Sequence, residues 1–244
     1  MTDFSDTRAQ ASARPLPLAG VRVLDVSQVM AGPYACMLLA DLGADVIKIE
    51  PPDGGDQTRG SMGFKMKGPD SMGFLNMNRN KRSVTLDLKT DSGREVLYRL
   101  AETADILVEN YRPGVMKRLG IDYETLSKIN PKLVYCSISG FGQSGPWATR
   151  PGFDLMAQAM SGVMSVTGYP GGAPVKAGVP VADIGCALFA PTACCPPTSV
   201  PRRRGRASTS MLRCSTPRWR SRCGTPASTG ARAASPSRWA RPTA

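Results

Sequence analysis

Short apolar stretches alternate with amphipathic stretches over most of the first 190 residues. The apolar stretches have the length of buried strands, and the others repeat with helical spacing. We predict strands at residues 21–26, 45–50, 83–88, 106–109 and 133–138. We predict helices at residues 34–42, with Pro33 in the first turn, and at residues 91–104, 115–119, 123–129 and 153–164. Strand, helix and strand at this spacing form βαβ units, which require parallel strands. The pattern therefore predicts an α/β fold, a Rossmann-like doubly wound parallel sheet whose ligands bind beyond the carboxyl ends of the strands.

The chain changes character after Ala190. Residues 191–244 contain no Asp, Glu or Lys but hold eleven of the 31 basic residues, and they show no helical or strand period. We expect a disordered leader at residues 1–14, one α/β domain at residues 15–190 and an unfolded Arg-, Pro- and Ser-rich tail at residues 191–244. Two explanations of the tail stay open: a natural basic extension, and a reading-frame shift near Ala190, which the composition favours.

The net charge of +12 belongs almost entirely to this tail, because the 20 basic residues before it nearly balance the 19 acidic ones. The charge therefore does not argue for a nucleic-acid partner. No apolar run reaches the length of a membrane span, and the polar leader lacks the apolar core of a signal peptide. We expect a cytoplasmic protein with no membrane association.

The chain has seven Cys and no His. Cys36, Cys136 and Cys186 lie within apolar stretches and are expected to be buried; the spacing of the seven predicts neither a disulfide framework nor a metal site. Without His, any catalysis depends on carboxylate, Lys, Tyr, Cys or backbone groups.

Two groups of residues could bind a phosphorylated ligand. The turn at residues 29–33 places the small Ala31 and Gly32 before a helix whose free N–H groups suit an anion, although small residues there also serve packing alone. Basic residues recur near the strand ends and together predict a ligand with several phosphates, although each one alone is typical of a solvated surface. They are Arg79, Lys81 and Arg82 before one strand, and Lys89, Arg112, Lys117 and Arg118 after later ones.

Asp183 lies between a Gly- and Pro-containing stretch and an apolar helical segment. A carboxylate in this place is either an N-cap or a partly desolvated nucleophile. Both interpretations stay open on the residues alone.

Several short segments follow one another in a specific order and spacing. They include Leu18-Ala-Gly-Val-Arg-Val-Leu-Asp25, Ala31-Gly-Pro33, Leu42-Gly-Ala-Asp-Val-Ile-Lys-Ile-Glu50, Asn80-Lys-Arg-Ser83, Val108-Glu-Asn-Tyr-Arg-Pro-Gly114, Gly152-Phe-Asp154 and Gly178-Val-Pro-Val-Ala-Asp183. With these segments, residues 15–190 resemble the family III (CaiB/BaiF-type) CoA-transferases.

The resemblance implies transfer of coenzyme A from an acyl-CoA donor to a small carboxylic acid, with Asp183 as the nucleophile that forms a covalent aspartyl intermediate. It also implies contacts with CoA, which are expected at Met30, Ala31, Leu86, Lys89, Asn110, Tyr111, Arg112 and Arg118. It implies no permanently bound cofactor and no metal. Developing oxyanions need N–H donors, which the Gly-rich residues 168–172 are expected to supply.

The resemblance also implies a second, smaller domain and an interlocked homodimer, neither of which residues 191–244 can build. A truncated, inactive product of a frameshifted gene is therefore the alternative function. Acyl-CoA racemization within the same family is disfavoured, since Phe153 stands where the racemases carry a proton-transferring His. A Rossmann-type oxidoreductase is disfavoured because the first strand is not followed by Gly-x-Gly-x-x-Gly.

Overall fold

A computed structural model of the chain describes residues 15–65 and 68–194, together with the backbone of residues 208–213. Its strands form one sheet in which every neighbouring pair is parallel, in the order β3-β2-β1-β4-β5-β6. The strands are β1 (Arg22–Asp25), β2 (Asp45–Glu50), β3 (Lys81–Thr85), β4 (Ile106–Glu109), β5 (Val134–Ser139) and β6 (Ser208–Arg213). This order is that of a doubly wound dinucleotide-binding sheet, so the predicted fold class is confirmed.

Helices connect the strands and cover both faces of the sheet. They are α1 (Ala31–Asp41), α2 (Thr58–Ser61), α3 (Met72–Asn78), α4 (Asp91–Glu102), α5 (Val115–Arg118), α6 (Tyr123–Ile129), α7 (Asp154–Met160) and α8 (Val181–Cys194), with a 3₁₀ helix at Val163–Val166.

Alternate residues of each strand face opposite sides of the sheet, and both sides are buried. Val23 faces a core formed with α1 and α8. Leu24, its neighbour, faces a second core formed with α4, α5 and α6. Burial on both faces explains why the strands are continuous apolar runs rather than alternating ones.

Several element boundaries differ from the predicted ones. Helix α1 begins at Ala31, within the predicted turn, and Pro33 lies in its first turn as predicted, where the missing N–H has no helical partner to lose. Strand β3 begins two residues before its predicted start, because Lys81 and Arg82 already pair with Val46 and Ile47 of β2. Helices α2 and α3, between β2 and β3, are not among the predicted helices.

The region around residue 190 also departs from expectation. Helix α8 continues through this position to Cys194, and β6 pairs with β5 from Val134↔Ser208 to Ser139↔Arg213. The expectation that the tail carries no regular structure therefore does not hold for residues 191–194 or for β6. An extended chain such as β6 can pair with an open sheet edge through its backbone alone. Residues 1–14 and the rest of the tail lie outside the described residues, and the domain boundaries stay predictions.

Cys36, Cys136 and Cys186 are buried as predicted, in one core cluster that also contains Cys194. Within the described ranges, no helix has the length and apolar character to cross a membrane, and no group of potential ligands is arranged to hold a metal ion.

Candidate active site

The strand order reverses between β1 and β4, and the segments that follow these two strands meet at that point. Asn110 binds the backbone of Gln28 twice: the Gln28 N–H donates to Asn110 Oδ1 at 2.8 Å, and Asn110 Nδ2 donates to the Gln28 carbonyl at 2.7 Å. Gln28 Nε2 also donates to the Tyr111 hydroxyl at 2.9 Å. Because doubly wound sheets bind ligands at this reversal, the crevice here is the candidate site.

The turn from β1 into α1 has a tightly constrained shape. Val29 has a φ of 68°, in the left-handed region that β-branched residues rarely adopt. Position 32 requires glycine, because a Cβ there would lie 2.2 Å from the Cβ of Ser27. The turn places Met30 at the N-cap of α1 and Ala31 as its first residue.

Four charged side chains are buried beneath this turn, and we call them the buried charge cluster: Asp25, Lys48, Asp56 and Lys81. Lys81 Nζ lies 2.8 Å from Asp25 Oδ2, and Lys48 Nζ lies 2.9 Å from Asp56 Oδ2. Burial opposes the ionisation of Asp25, but the ammonium groups of Lys81 and Lys48 prevail and hold its pKa at about 2. The two cations and two anions therefore compensate one another in the interior.

The buried charge cluster also holds the backbone of the turn. Lys48 Nζ donates to the Ser27 carbonyl at 2.9 Å, Lys81 Nζ donates to the Pro33 carbonyl at 2.8 Å, and the Val29 N–H donates to Asp56 Oδ1 at 3.3 Å. Sequence reasoning missed this cluster. The available signal was Lys48 itself, a charged residue between two Ile in a strand predicted to be buried on both faces.

A cavity of about 460 Å³ opens beyond the carboxyl ends of β2 and β3. Its charged lining is already paired, since Arg59 binds Glu50 at 2.7 Å and Asp70 at 2.9 Å. Burial opposes the ionisation of Glu50, but hydrogen bonds from Arg59 and Ser83 hold its pKa at about 2. The cavity therefore offers a ligand little uncompensated positive charge.

The basic residues at the start of β3 and just before it are neutralised by carboxylates. Arg79 pairs with Asp41 at 2.5 Å, Arg82 pairs with Asp45 at 2.7 Å, and Lys81 belongs to the buried charge cluster. These pairings favour a structural role for Arg79, Lys81 and Arg82 over phosphate binding. Sequence spacing could not reveal this, because the partner carboxylates lie on other elements.

Basic residues that follow the strands are different. Lys89, Arg112 and Arg118 are exposed, and in the part of the chain that the structure describes no carboxylate pairs with their side chains. Leu86, which follows β3, is half-buried, and its N–H donates to the Glu50 carbonyl at 2.9 Å.

Asp183 is the third residue of α8, which begins at Val181. The N-cap interpretation therefore does not hold. Its carboxylate is half-buried and, among the residues whose side chains are described, has no hydrogen-bond or ion-pair partner. Burial and the nearby negative charge of Asp154 raise its pKa to about 6. Such a carboxylate is weakly solvated and more basic than usual, which are the properties of a nucleophile.

Helices α1 and α8 pack side by side on one face of the sheet, through small residues that include Ala35 and Ala187. Each helix lies in a connection between two parallel strands, so each begins beyond the carboxyl ends of the strands. The structure therefore brings Met30, Ala31 and Asp183 to the carboxyl ends of the strands, on the same face of the sheet. Asn110, Tyr111 and Arg112 follow β4 at these ends, whereas Leu86 and Lys89 follow β3, two strands away from β1.

Comparison with known proteins identifies the family. The model of CoA-transferase family III matches residues 18–209. This chain belongs to that family.

Two curated relatives of this family III chain are both named for a succinyl group and glutarate. It is 47% identical over 185 residues to the succinate–glutarate CoA-transferase of Agrobacterium fabrum, covering 74% of this chain and 46% of the relative. It is 48% identical over 174 residues to the succinyl-CoA:glutarate CoA-transferase of Mus musculus, covering 71% and 40% respectively. The chain thus spans less than half the length of these relatives.

A solved structure supports the same assignment. The crystal structure of a CaiB/BaiF family protein from Brucella suis matches with a TM-score of 0.78 and 41% identity, covering 83% of this chain and 54% of that one. The matched region includes part of the segment beyond residue 190, since the family model extends to residue 209.

A close backbone contact between two glycines holds the start of α7. A Cβ on Gly140, directly after β5, would lie 2.4 Å from the Cα of Gly152, and a Cβ on Gly152 would lie 2.3 Å from the Cα of Gly140. This backbone contact closes the loop between them and holds the start of α7, with Phe153 and Asp154, near the carboxyl end of β5. Phe153 itself is largely exposed.

Glu109, at the end of β4, is a second buried carboxyl that sequence reasoning missed. It is 2% exposed and accepts a hydrogen bond from the Tyr111 N–H at 2.8 Å. Burial outweighs its hydrogen bonds with Ser137 and Tyr111 and raises its pKa to about 7. Unlike Asp25, it has no cation among its described neighbours to compensate its charge.

The expected oxyanion donors at residues 168–172 form an exposed turn. The Gly172 N–H donates to the Tyr169 carbonyl at 3.0 Å, and Tyr169 is exposed. That N–H is thus occupied within its own turn.

Proposed function

We propose that the protein transfers coenzyme A from an acyl-CoA donor to a carboxylic acid, with Asp183 as the covalent nucleophile. The observation that carries the proposal is the state of the Asp183 carboxylate: half-buried, unpaired among the described side chains, and with a pKa raised to about 6. It stands at the edge of a doubly wound sheet where ligands bind. Family membership supplies the chemistry that such a carboxylate would perform.

The proposed reaction consists of four acyl transfers that balance one another. The Asp183 carboxylate attacks the thioester carbonyl, giving a mixed anhydride and releasing CoA as thiolate. The thiolate then attacks the Asp183 carbonyl of the anhydride, forming an aspartyl-CoA thioester and releasing the donor acid. The acceptor carboxylate displaces CoA from Asp183 to form a second anhydride, and the thiolate finally attacks its acceptor carbonyl. Asp183 returns as a carboxylate, and no proton acceptor is needed, which suits a chain without His.

CoA binding is proposed at the crevice between the ends of β1 and β4 and beside it. Met30 and Ala31 begin α1, whose positive dipole end and free N–H groups favour an anion. The exposed cations Lys89, Arg112 and Arg118 are proposed to bind the phosphates, since no described carboxylate competes for them. Leu86, Asn110 and Tyr111 would complete the contacts, with Asn110 acting mainly through the Gln28 backbone that it holds.

Short dicarboxylic acids are the proposed substrates, with succinyl-CoA as donor and glutarate as the first acceptor to test. The two relatives named above carry these acids in their names. Racemization is not favoured, because the Phe153 side chain cannot transfer a proton.

The full chain is incubated with succinyl-CoA and glutarate, and the formation of glutaryl-CoA is measured by chromatography. We expect exchange in the unaltered protein and a loss of roughly a thousandfold or more in Asp183→Asn and Asp183→Ala, because both remove the nucleophile. Borohydride added during turnover should reduce the aspartyl thioester and leave an alcohol at position 183, identifiable by peptide mass spectrometry.

Asp105→Asn is the matched control. Asp105 is also half-buried, but it lies directly before β4, at the amino ends of the strands and therefore opposite the proposed site. It accepts a hydrogen bond from the Arg22 N–H at 2.9 Å. This variant should keep full activity. Exchange that survives in folded Asp183→Ala would disprove the assigned nucleophile. A folded protein without exchange for any acid tested would favour the alternative, an inactive product.

A further inference from the structure

The segment that leads into α8 is held by two side chains of α7 whose part in the reaction is unassigned. Asp154 and Gln158 lie one turn apart on α7, and Gln158 Nε2 donates to Asp154 Oδ2 at 2.7 Å. We call this pair the α7 clamp. Gln158 is completely buried, and the Asp154 side chain is 11% exposed.

The α7 clamp binds the chain immediately before and within the first turn of α8. Asp154 Oδ1 accepts a hydrogen bond from the Ala182 N–H at 2.9 Å. Gln158 Oε1 accepts from the Ala177 N–H at 2.9 Å, and its Nε2 also approaches the Val179 carbonyl at 3.4 Å. The clamp therefore fixes the backbone on the N-terminal side of Asp183.

The bond to Ala182 replaces an ordinary helix cap. The first N–H groups of a helix have no helical partner and are usually satisfied by the side chain of the N-cap residue. The residue before Val181 is Pro180, whose side chain has no acceptor. Asp154, from another helix, takes this part, and its charge also suits the positive end of the α8 dipole.

We propose that Asp154, held by Gln158, is a positioning residue that fixes the first turn of α8 and places a second negative charge beside the nucleophile Asp183. This inference rests on the proposed function, because it assigns a role within the same site. An Asn or Ser could cap the helix equally well. A carboxylate adds an electrostatic effect on Asp183 that a neutral cap would lack.

The charged surroundings of Asp183 support an electrostatic role. From α7 the charge that acts on it is Asp154, which together with burial raises the Asp183 pKa. From the preceding segment, Lys176 Nζ lies 3.9 Å from Asp154 Oδ2 and compensates that charge only partly, since Lys176 is well exposed. A raised pKa makes the ionised Asp183 a stronger nucleophile, while most molecules still carry the carboxylate above pH 7.

The test compares Asp154→Asn with Asp122→Asn. Asn at position 154 keeps an oxygen acceptor for the Ala182 N–H but removes the charge. Asp122 is likewise a capping carboxylate, on α6, accepting a hydrogen bond from the Thr125 N–H at 3.3 Å, and it lies outside the proposed site. Urea unfolding of both variants establishes that the fold is retained.

Exchange activity is measured against pH in each variant. Activity of the unaltered protein should fall as the pH drops through about 6, where Asp183 becomes protonated. In Asp154→Asn this acid limb should move down by about one pH unit, and the rate above it should fall severalfold because the nucleophile is less basic. Asp122→Asn should leave both unchanged. Asp154→Ala, which removes cap and charge, should lower kcat with little change in the KM for acyl-CoA.

A second measurement does not depend on activity. The Asp183 carboxyl is titrated by NMR in protein labelled with ¹³C-aspartate, and its signal is assigned by its disappearance in Asp183→Asn. The expected result is a lower Asp183 pKa in Asp154→Asn than in the unaltered protein and Asp122→Asn. An unchanged pKa would overturn the proposed influence of Asp154, whether or not the protein is active. A shifted pKa in a chain without exchange would instead reject the proposed function and leave the coupling between the two carboxylates intact.

Discussion

The described basic residues of this protein fall into two classes: those that form an ion pair with a carboxylate and those that do not. Lys81 and Arg82 begin β3 and are paired, whereas Arg112 and Arg118 lie beyond β4 and are unpaired among the described residues. In the sequence these residues look alike. Only the unpaired cations can exchange water for phosphate without breaking an existing ion pair.

Substitution by a neutral residue should distinguish the unpaired basic residues from the paired ones. We expect Arg112→Gln, Arg118→Gln and Lys89→Gln each to raise the KM for acyl-CoA roughly threefold to tenfold, with kcat little changed, because each removes a charge-assisted contact with phosphate. The effect should shrink as salt is added. Arg82→Gln is the control, since its guanidinium is bound to Asp45 at 2.7 Å, and its KM should stay unchanged. Equal effects at all four positions would indicate a general response to net charge instead of specific binding.

At the level of elements, the helices and strands that carry the site are positioned by contacts that no local pattern records. Helix α8 was expected as an apolar segment, but its alignment beside α1 depends on small residues such as Ala187 and Ala190. Its first turn is held by α7, and α7 is held in turn by the contact of Gly140 with Gly152. The site geometry thus follows from elements that are distant in sequence.

The pairing of β6 with β5 can be tested separately, because the sequence around β6 lacks a strand pattern. As an edge strand it can bond to β5 with only every second N–H. Amide hydrogen exchange should therefore show slow and fast positions alternating along Ser208–Arg213. The opposite edge strand, β3, pairs only with β2 and provides the matched reference. Uniformly fast exchange in Ser208–Arg213, with alternation retained in β3, would contradict the pairing of β6.

For the whole molecule, the buried carboxyl groups set the dependence of stability on pH. The pKa of Asp25 and that of Glu50 are lowered to about 2, so their ionised forms stabilise the fold above the unfolded pKa of about 4. That contribution is lost as the pH falls towards 2. The pKa of Glu109 is raised to about 7, so its burial favours the protonated form and destabilises the fold increasingly as the pH rises from about 4.5 to 7.

Glu109→Gln tests the second effect, since Gln resembles the protonated side chain and cannot ionise. The free energy of unfolding of the unaltered protein should decline between about pH 5 and pH 7.5, by up to about 3 kcal/mol from Glu109. The variant should lose most of this decline and be more stable than the unaltered protein at pH 8. Urea titrations at several pH values measure both quantities. Parallel curves for the two proteins would show that Glu109 is ionised to the same extent in the folded and unfolded states.

The sequence by itself determined the α/β class, the parallel sheet and the family, because apolar strands and helical periods are local properties and the family segments keep their order. It also singled out Asp183 and placed the expected CoA contacts after the strands. Only the tertiary structure decided which charges are free, that Asp25, Lys48, Asp56 and Lys81 hold the turn before α1, and that Asp154 caps α8. These outcomes depend on side chains separated by many residues in the chain. Their burial and mutual distances, which fix their protonation and their availability to a ligand, exist only once the sheet has assembled.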